Sequence, residues 1–155
     1  MASRLTVGVV PGTHGLVRPE VVEALRGSDV ILHAGDIGGN HVLQELGEIA
    51  PVIPVRGNVD GGWARLLPER RRLDLGGVSV LILHDRGLLG LDPADEGLGV
   101  VVFGHSHQPL AEKKKGVLWF NPGSAGPRRF RLPVSVGCLV IEDGRVRHRL
   151  ITLEA

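Results

Sequence analysis

Five strand-like runs in this chain each stop at a turn that carries an imidazole or an oxygen ligand, and this repetition constrains the fold more than any other feature. The turns are Gly12-Thr13-His14-Gly15, Gly35-Asp36, Gly57-Asn58, the end of Ile82-Leu83-His84, and Gly104-His105-Ser106-His107. A β-branched run broken by Gly or Pro reads as a buried strand halted by a loop. Leu5–Val10, Asp29–Ala34 and Val52–Arg56 are such runs. Helical stretches lie between them. PEVVEALRG, from Pro19 to Gly27, has proline at a tolerated first-turn position. Asn40–Ile49 spaces Val42, Leu43, Leu46 and Ile49 along one helical face. Three strand–loop–helix units predict a parallel sheet with crossover helices.

The second half reads differently. Arg71–Leu75 and Val78–His84 are joined by Gly76-Gly77, a hairpin signal. Gly99–Phe103, Leu110–Lys115, Val117–Phe120, Val134–Ile141 and Arg145–Leu153 read as further strands, so this half is expected to be mostly antiparallel. No repeat, low-complexity tract or linker separates the halves. A length of 155 residues suits one domain with a real core. The expected fold class is therefore α/β, with two packed sheets and helices outside.

Composition narrows the function classes. The 18 Lys+Arg against 17 Asp+Glu give a formal net charge of +1, which offers no electrostatic basis for general nucleic-acid binding. Aromatics are only 3%, with no Tyr, which argues against base-stacking platforms. The single cysteine, Cys138, excludes an intrachain disulfide and any Cys-built zinc site. Apolar runs are too short for a transmembrane helix, and the first residues do not form a signal-peptide core. A cytoplasmic protein with no membrane partner is expected.

Ligands of open α/β sheets bind at the carboxyl ends of the strands. If the five turns gather at one such end, three or four His, one Asp and one Asn converge. Imidazole with carboxylate and amide oxygen suits Mn²⁺, Fe²⁺, Zn²⁺, Ni²⁺ or a mixed pair. A carboxylate such as Asp36 can bridge two ions, and two ions about 3.5–4 Å apart clamp the attacking and leaving oxygens of a phosphoryl group. The residues themselves thus point to metal-assisted phosphoester hydrolysis.

The ordered series GTHG, HAGD, RGNVD, LILH, FGHSH and NPGS resembles the calcineurin-like metallophosphoesterases, in particular their small bacterial and archaeal phosphodiesterase branch. The resemblance spans about Leu5 to Ser124, and the remaining strands fit that branch's final hairpin. It implies a four-layer α/β/β/α sandwich of two mixed sheets flanked by helices. It also implies that His14, Asp36 and His107 hold a first metal, while Asp36, Asn58, His84 and His105 hold a second. Asp36, Asn58 and His105 then carry catalysis, in which a metal-bound hydroxide attacks the phosphorus of a small phosphodiester or nucleotide-like substrate. The implied cofactors are one or two divalent ions per chain, Mn²⁺ first, with Ni²⁺, Fe²⁺, Zn²⁺ or Mg²⁺ as alternatives. Asn121 and Arg128 are expected at the substrate, Asn121 and Gly123–Ser124 also as buttresses. A homo-oligomer is left open.

The chain departs from the family pattern at three positions. Gly12 stands where the family's Asp-x-His motif places a metal-ligating Asp. Val59 stands where many family phosphatases carry a His that protonates the leaving group, although the small phosphodiesterase branch often lacks it. Asp85 replaces a usual Gly. Gly12 favours an alternative function, a degenerate member acting as a binding scaffold, as the retromer scaffold subunit of the same branch does. Plainer roles also compete. Asp36 can cap a turn, Asn58 can be a turn residue, and the histidines can be satisfied by backbone carbonyls. His33 is expected to be a buried hydrogen bonder behind the site, and His41 and His148 surface residues. Lys113–Lys115 and Arg70–Arg72 are expected to be solvated edges. Arg128, Arg129 and Arg131 form a possible phosphate clamp.

Overall fold

A computed structural model describes residues 4–127 and 133–153. Strands β1 (Arg4–Val10), β2 (Val30–His33) and β3 (Val52–Pro54) run parallel, as the strand–loop–helix pattern predicts. Helices α1 (Pro19–Leu25) and α2 (Asn40–Gly47) connect them. Pro19 opens α1, where its missing N–H costs nothing. α1 buries Val21 and Leu25, and α2 buries Val42 and Leu46, against the sheet.

The rest of the chain comprises β4 (Arg70–Leu75), β5 (Val78–Leu83), β6 (Val100–Val102), β7 (Leu110–Lys114), β8 (Val117–Asn121), β9 (Val134–Glu142) and β10 (Arg145–Leu153). Two five-stranded sheets result, with orders β10-β9-β1-β2-β3 and β4-β5-β6-β8-β7. The second half is mostly antiparallel, as expected, through the pairs β4–β5, β7–β8 and β9–β10. Its inner pairs β5–β6 and β6–β8 are parallel, which the sequence did not indicate. The two final strands also leave that sheet. β9 pairs antiparallel with β1 from Arg4↔Glu142 to Val9↔Gly137, so the last hairpin completes the first sheet.

Side-chain alternation along the strands accounts for the layers. Val7 and Val9 of β1, Val30 and Leu32 of β2, Val80 and Ile82 of β5, Val100 and Val102 of β6, and Leu118 and Phe120 of β8 share the inner core between the sheets. Val10 and Ile31 point the other way, into the layer under α1 and α2. On the far side of the second sheet, Leu81, Leu83, Val101, Phe103 and Val117 are covered by Leu89 and Leu98. That outermost layer is reduced to a loop with one 3₁₀ turn at Arg86–Leu88. The arginines of β4 help hold it. Arg70 donates to the Leu88 and Leu89 carbonyls at 2.7 and 2.9 Å, and Arg72 to the Glu96 carbonyl, so they do more than solvate an edge. Lys113 and Lys114 lie exposed on the edge strand β7, where charge opposes strand-to-strand aggregation. Among the described residues no helix is long and apolar enough to cross a membrane.

This topology sends six parallel strands, β1, β2 and β3 in one sheet and β5, β6 and β8 in the other, toward loops that carry the predicted ligands. Loops 11–15, 34–38, 56–61, 84–85, 103–109 and 122–126 follow these strands directly.

Candidate metal centre

Asp36 is the hub of the site. It is buried, and its backbone takes a left-handed φ of 56°. Its carbonyl accepts from the Thr13 and His14 amides at 3.2 and 3.0 Å, which pins loop 11–15 to loop 34–38. Left-handed backbone is uncommon for residues other than glycine and is retained where the surroundings enforce it. Six such residues occur among those described. Four are His14, Asp36, His105 and His107, with φ of 48°, 56°, 71° and 62°. The other two, Lys115 and Asp143, sit in hairpin turns that require this conformation. Away from hairpins, positive φ among non-glycine residues therefore coincides with predicted ligands.

Two histidine pairs flank the carboxylate. On one flank, His84 Nε2 lies 3.0 Å from Asp36 Oδ2, and His105 Nδ1 lies 3.3 Å from the same His84 nitrogen. The two rings meet edge to face, with centroids 5.2 Å apart. On the other flank, His14 Nε2 stands 4.0 Å from Asp36 Oδ2 and its ring stacks on His107 at 5.3 Å. The structure thus brings His14, Asp36, His84, His105 and His107 together. Asn58 lies exposed on the neighbouring loop and shares a cleft with His84.

The His84 tautomer follows from its partners. Nδ1 is 2.9 Å from the Ala34 carbonyl, which can only accept, so Nδ1 carries a proton. A neutral ring would then aim the Nε2 lone pair at the Asp36 carboxylate, and only a positive charge between the two atoms reconciles them. Burial works to lower the His84 pKa. The hydrogen bond to Asp36, the Ala34 carbonyl and the charges of Asp36 and Asp60 outweigh it, so His84 titrates above its ordinary value. Burial likewise works to raise the Asp36 pKa. His84, the Val59 amide and His14 overcome it and hold the carboxyl below its usual range. Among the described residues no group of three or more His, Cys, Asp or Glu side chains is placed to hold a metal ion. The donor chemistry nevertheless suits a divalent cation on the His84 flank: a carboxylate oxygen and two imidazole nitrogens are linked in series at 3.0 and 3.3 Å, and a carbonyl behind one ring fixes its tautomer, as metal-ligating histidines require.

The surrounding loops are shaped for close approach. A Cβ on Gly57 would run into Asp36 Oδ1, and one on Gly35 would come within 2.9 Å of His84 Nδ1. These glycines allow loops 34–38 and 56–61 to meet over the carboxylate. Gly12 has ordinary φ. A Cβ there would lie 3.1 Å from His14 Nε2 and 3.6 Å from Asp36 Cβ, so a side chain at this position would enter the space between His14 and Asp36.

Behind the site lies a buried chain of neutral hydrogen bonds. The Gly35 amide donates to His33 Nδ1, which leaves the proton on Nε2 to meet Thr13 Oγ1 at 3.0 Å, and the threonine hydroxyl donates to the Ile37 carbonyl. His33 is fully buried. Burial, reinforced by the nearby His84, lowers its pKa to about 3, so it stays neutral. This is the role the sequence predicts for it. Asn121 is also fully buried. Its amide donates to the Gly104 carbonyl and Ser106 Oγ, and its oxygen accepts from Gly123. The structure therefore sets Asn121 behind the GHSH loop, as a buttress and not at its mouth. Arg128, Arg129 and Arg131 lie outside the described residues. The Asp85 side chain caps the following turn through the Gly87 amide. His41 reaches the Gly15 carbonyl from the surface, and His148 packs at 6.1 Å from the Phe120 ring.

The sequence reading missed Asp60. Its Oδ1 accepts from the Ile37 and Gly38 amides at 2.9 and 3.0 Å, and its Oδ2 accepts from Gly57 at 2.8 Å. One carboxylate thus locks the Asn58 loop onto the Asp36 loop. The available signal was its place in the glycine-containing turn RGNVD, since Asp side chains commonly bond backbone groups of the turns they sit in.

Two sheets whose carboxyl edges meet over a buried carboxylate flanked by paired histidines define a metallophosphoesterase fold and site. The chain belongs to the calcineurin-like phosphoesterase superfamily, whose domain model matches residues 5–144. It is 33% identical to a probable metallophosphoesterase of Methanothermobacter thermautotrophicus, over 95% of this chain and 92% of that protein. It is also 33% identical to the phosphodiesterase YfcE of Escherichia coli over 114 residues, which cover 63% of this chain and 58% of YfcE. Vacuolar protein sorting 29 of Cryptosporidium parvum shares the fold, with a TM-score of 0.78 at 17% identity over 98% of this chain and 99% of that one.

Proposed function

We propose that the protein is a divalent-metal-dependent phosphodiesterase acting on a small phosphodiester. The observation that carries this reading is the linkage of Asp36 Oδ2 and His105 Nδ1 through His84 Nε2, at 3.0 and 3.3 Å, on one flank of the site. Likeness to a phosphodiesterase-named relative supports the reaction class. Divalent ions bound there supply charge neutralisation at the phosphoryl oxygens and acidify water.

The chain's own residues have separable tasks. Asp36 and His84, oriented by the Ala34 carbonyl, and His105 hold the cation, with the Asn58 amide oxygen completing the set from the adjoining loop. Asp60 keeps that loop in place. His14 and His107 serve the other flank with no carboxylate from position 12. Val59, which is 58% exposed, presents no proton donor at the position beside Asn58, so the site suits esters whose leaving alcohol departs without protonation by the protein.

The test is hydrolysis of bis(p-nitrophenyl) phosphate by protein loaded with Mn²⁺ or Ni²⁺, with metal counted per chain. Metal-dependent turnover that disappears with EDTA and in Asn58→Ala and His105→Ala is the expected result. Turnover indifferent to all three, or a protein that takes up no metal, overturns the reading, and the second outcome favours a scaffold role instead.

A further inference from the structure

A cleft of about 190 Å³ opens beside the metal centre. Asn58 and His84 border it, and Leu83, Leu88, Arg56 and Arg70 help to wall it. Its charges are already spent within the protein. Arg56 is paired with Glu69 at 2.9 Å and also donates to the Arg65 carbonyl. Arg70 donates to the carbonyls of Leu88 and Leu89. Asp85 is bonded to the Gly87 amide. The walls therefore carry two guanidiniums and two carboxylates, balanced in charge. Leu83 is 3% exposed and supplies a fixed apolar surface, whereas Leu88 is 73% exposed although its neighbour Leu89 is buried. The two bonds from Arg70 to the 3₁₀ turn hold Leu88 in position there. An apolar cavity of about 150 Å³ is large enough to bind benzene.

We infer that this cleft is the subsite for the organic ester group of the substrate, and that this group is a single compact apolar or aromatic ring, not a second phosphate. The inference rests on the phosphodiesterase reading for the identity of the ligand. The argument is one of chemistry and place. A ring seated against Leu83 and Leu88 puts its ester oxygen toward Asn58 and His84, where the phosphoryl group is held. A second phosphate would face Glu69 and Asp85 as well as the two guanidiniums, a lining with no net positive charge to hold it. Leu88 is then a specificity-determining residue whose exposed side chain is covered only when substrate binds.

The experiment uses Zn²⁺-loaded protein and reads the methyl NMR resonances of Leu83 and Leu88. Benzylphosphonate is expected to shift both and to bind about tenfold more tightly than methylphosphonate, the preference that burying part of one ring supplies. In Leu88→Gln that preference is expected to fall to about twofold or less, and the KM for bis(p-nitrophenyl) phosphate to rise several-fold with kcat moved less. Leu66→Gln, which is as exposed but does not line the cleft, is expected to change neither quantity. Methyl shifts from benzylphosphonate in a protein that hydrolyses nothing support the cleft while removing the phosphodiesterase reading. Turnover with silent Leu83 and Leu88 methyls, or an unchanged preference in Leu88→Gln, overturns the cleft. So does methylenediphosphonate shifting these methyls more than benzylphosphonate does.

Discussion

The two flanks of Asp36 are built from the same residue types and held by different forces. On the His84 side, charge organises the geometry: a 3.0 Å contact between imidazole and carboxylate, a second histidine at 3.3 Å, and Asp60 clamping three backbone amides. On the His14 side the imidazole nitrogen stands 4.0 Å from the carboxylate oxygen, the ring stacks on His107, and the neutral His33–Thr13–Ile37 chain lies behind. The difference shows that one carboxylate set between two histidine pairs does not engage them equally. Its partners decide how strongly each side is bound to it.

The largest expected effect tests that asymmetry directly. His84→Ala removes the partner that holds the Asp36 oxygen and links it to His105. His14→Ala removes a ring that stands farther away. Activity in His84→Ala is expected to fall by roughly 10²–10³-fold, as when a directly engaged electrostatic group is lost, with His14→Ala at least tenfold less affected. Steady-state kcat/KM with metal counts for both variants decides it, and equal losses would show that the flanks are not distinct.

Next in size is the clamp. Asp60→Asn keeps an acceptor for Ile37 and Gly38 but turns an NH₂ group toward the Gly57 amide. Partners that orient metal ligands are typically worth 10–100-fold in affinity or activity, and a loss in that range is expected, visible as weaker metal binding in a protein that still folds. Unchanged metal affinity would remove Asp60 from the support of this flank.

How much of this was legible in the sequence varies by layer. β1 to β3 were readable because each is a short apolar run ended by a turn, and the pattern of a parallel sheet with crossover helices is local. The return of β9 to pair with β1 was not readable, because Val134–Glu142 alternates equally well for either sheet and only tertiary packing chooses. The parallel sense of β6 and β8 was hidden for a related reason: their crossovers are a loop and a β-strand, not helices. In the site, residue identity disclosed which side chains gather around Asp36, since histidines after strands are chemically conspicuous. Asp60 was overlooked because an Asp at the end of Gly-Asn-Val-Asp is ordinary turn chemistry. Only coordinates show its two oxygens collecting three amides from two loops.

The neutral support behind the His14 flank has a pH signature. His33 has a folded-state pKa near 3 against 6.5 in the unfolded chain. Between those values the unfolded chain binds the proton and the folded one does not, so stability rises with pH across this window and levels off above it. The slope reaches about 1.4 kcal/mol per pH unit for one such group. His84 has the opposite sign, its raised pKa giving a contribution that is complete at low pH and lost as pH rises through the folded-state value. Urea unfolding at several pH values between 4 and 7, with chelator present throughout, is expected to show a shallower slope in His33→Gln than in the unmodified protein. An identical slope would mean that the buried chain does not exclude the proton.

The smallest effect expected is a gain. Gly12 has no φ constraint that bars a side chain, and a Cβ placed on it meets His14 Nε2 at 3.1 Å, a contact the ring relieves by moving a few tenths of an ångström. Gly12→Asp therefore delivers a carboxylate between His14 and Asp36, on the flank that has only imidazoles besides the shared oxygen. Two opposing terms follow. The new carboxylate repels buried Asp36 and costs folding stability in the absence of metal. With a divalent ion present, the same charge becomes a ligand and binding restores that stability by mass action. The variant is thus expected to melt below the unmodified protein in EDTA, to recover or pass it in Mn²⁺, and to bind a further ion by calorimetry, with activity rising by up to about tenfold, or about 1.4 kcal/mol of barrier. A crossover in melting temperature is the informative sign, because a merely tolerated surface carboxylate would leave the two proteins parallel in both buffers. If the unmodified chain already binds two ions tightly and the variant gains none, the flanks are equal in metal binding despite their unequal geometry, and stacking of His14 on His107 suffices where a carboxylate was thought necessary.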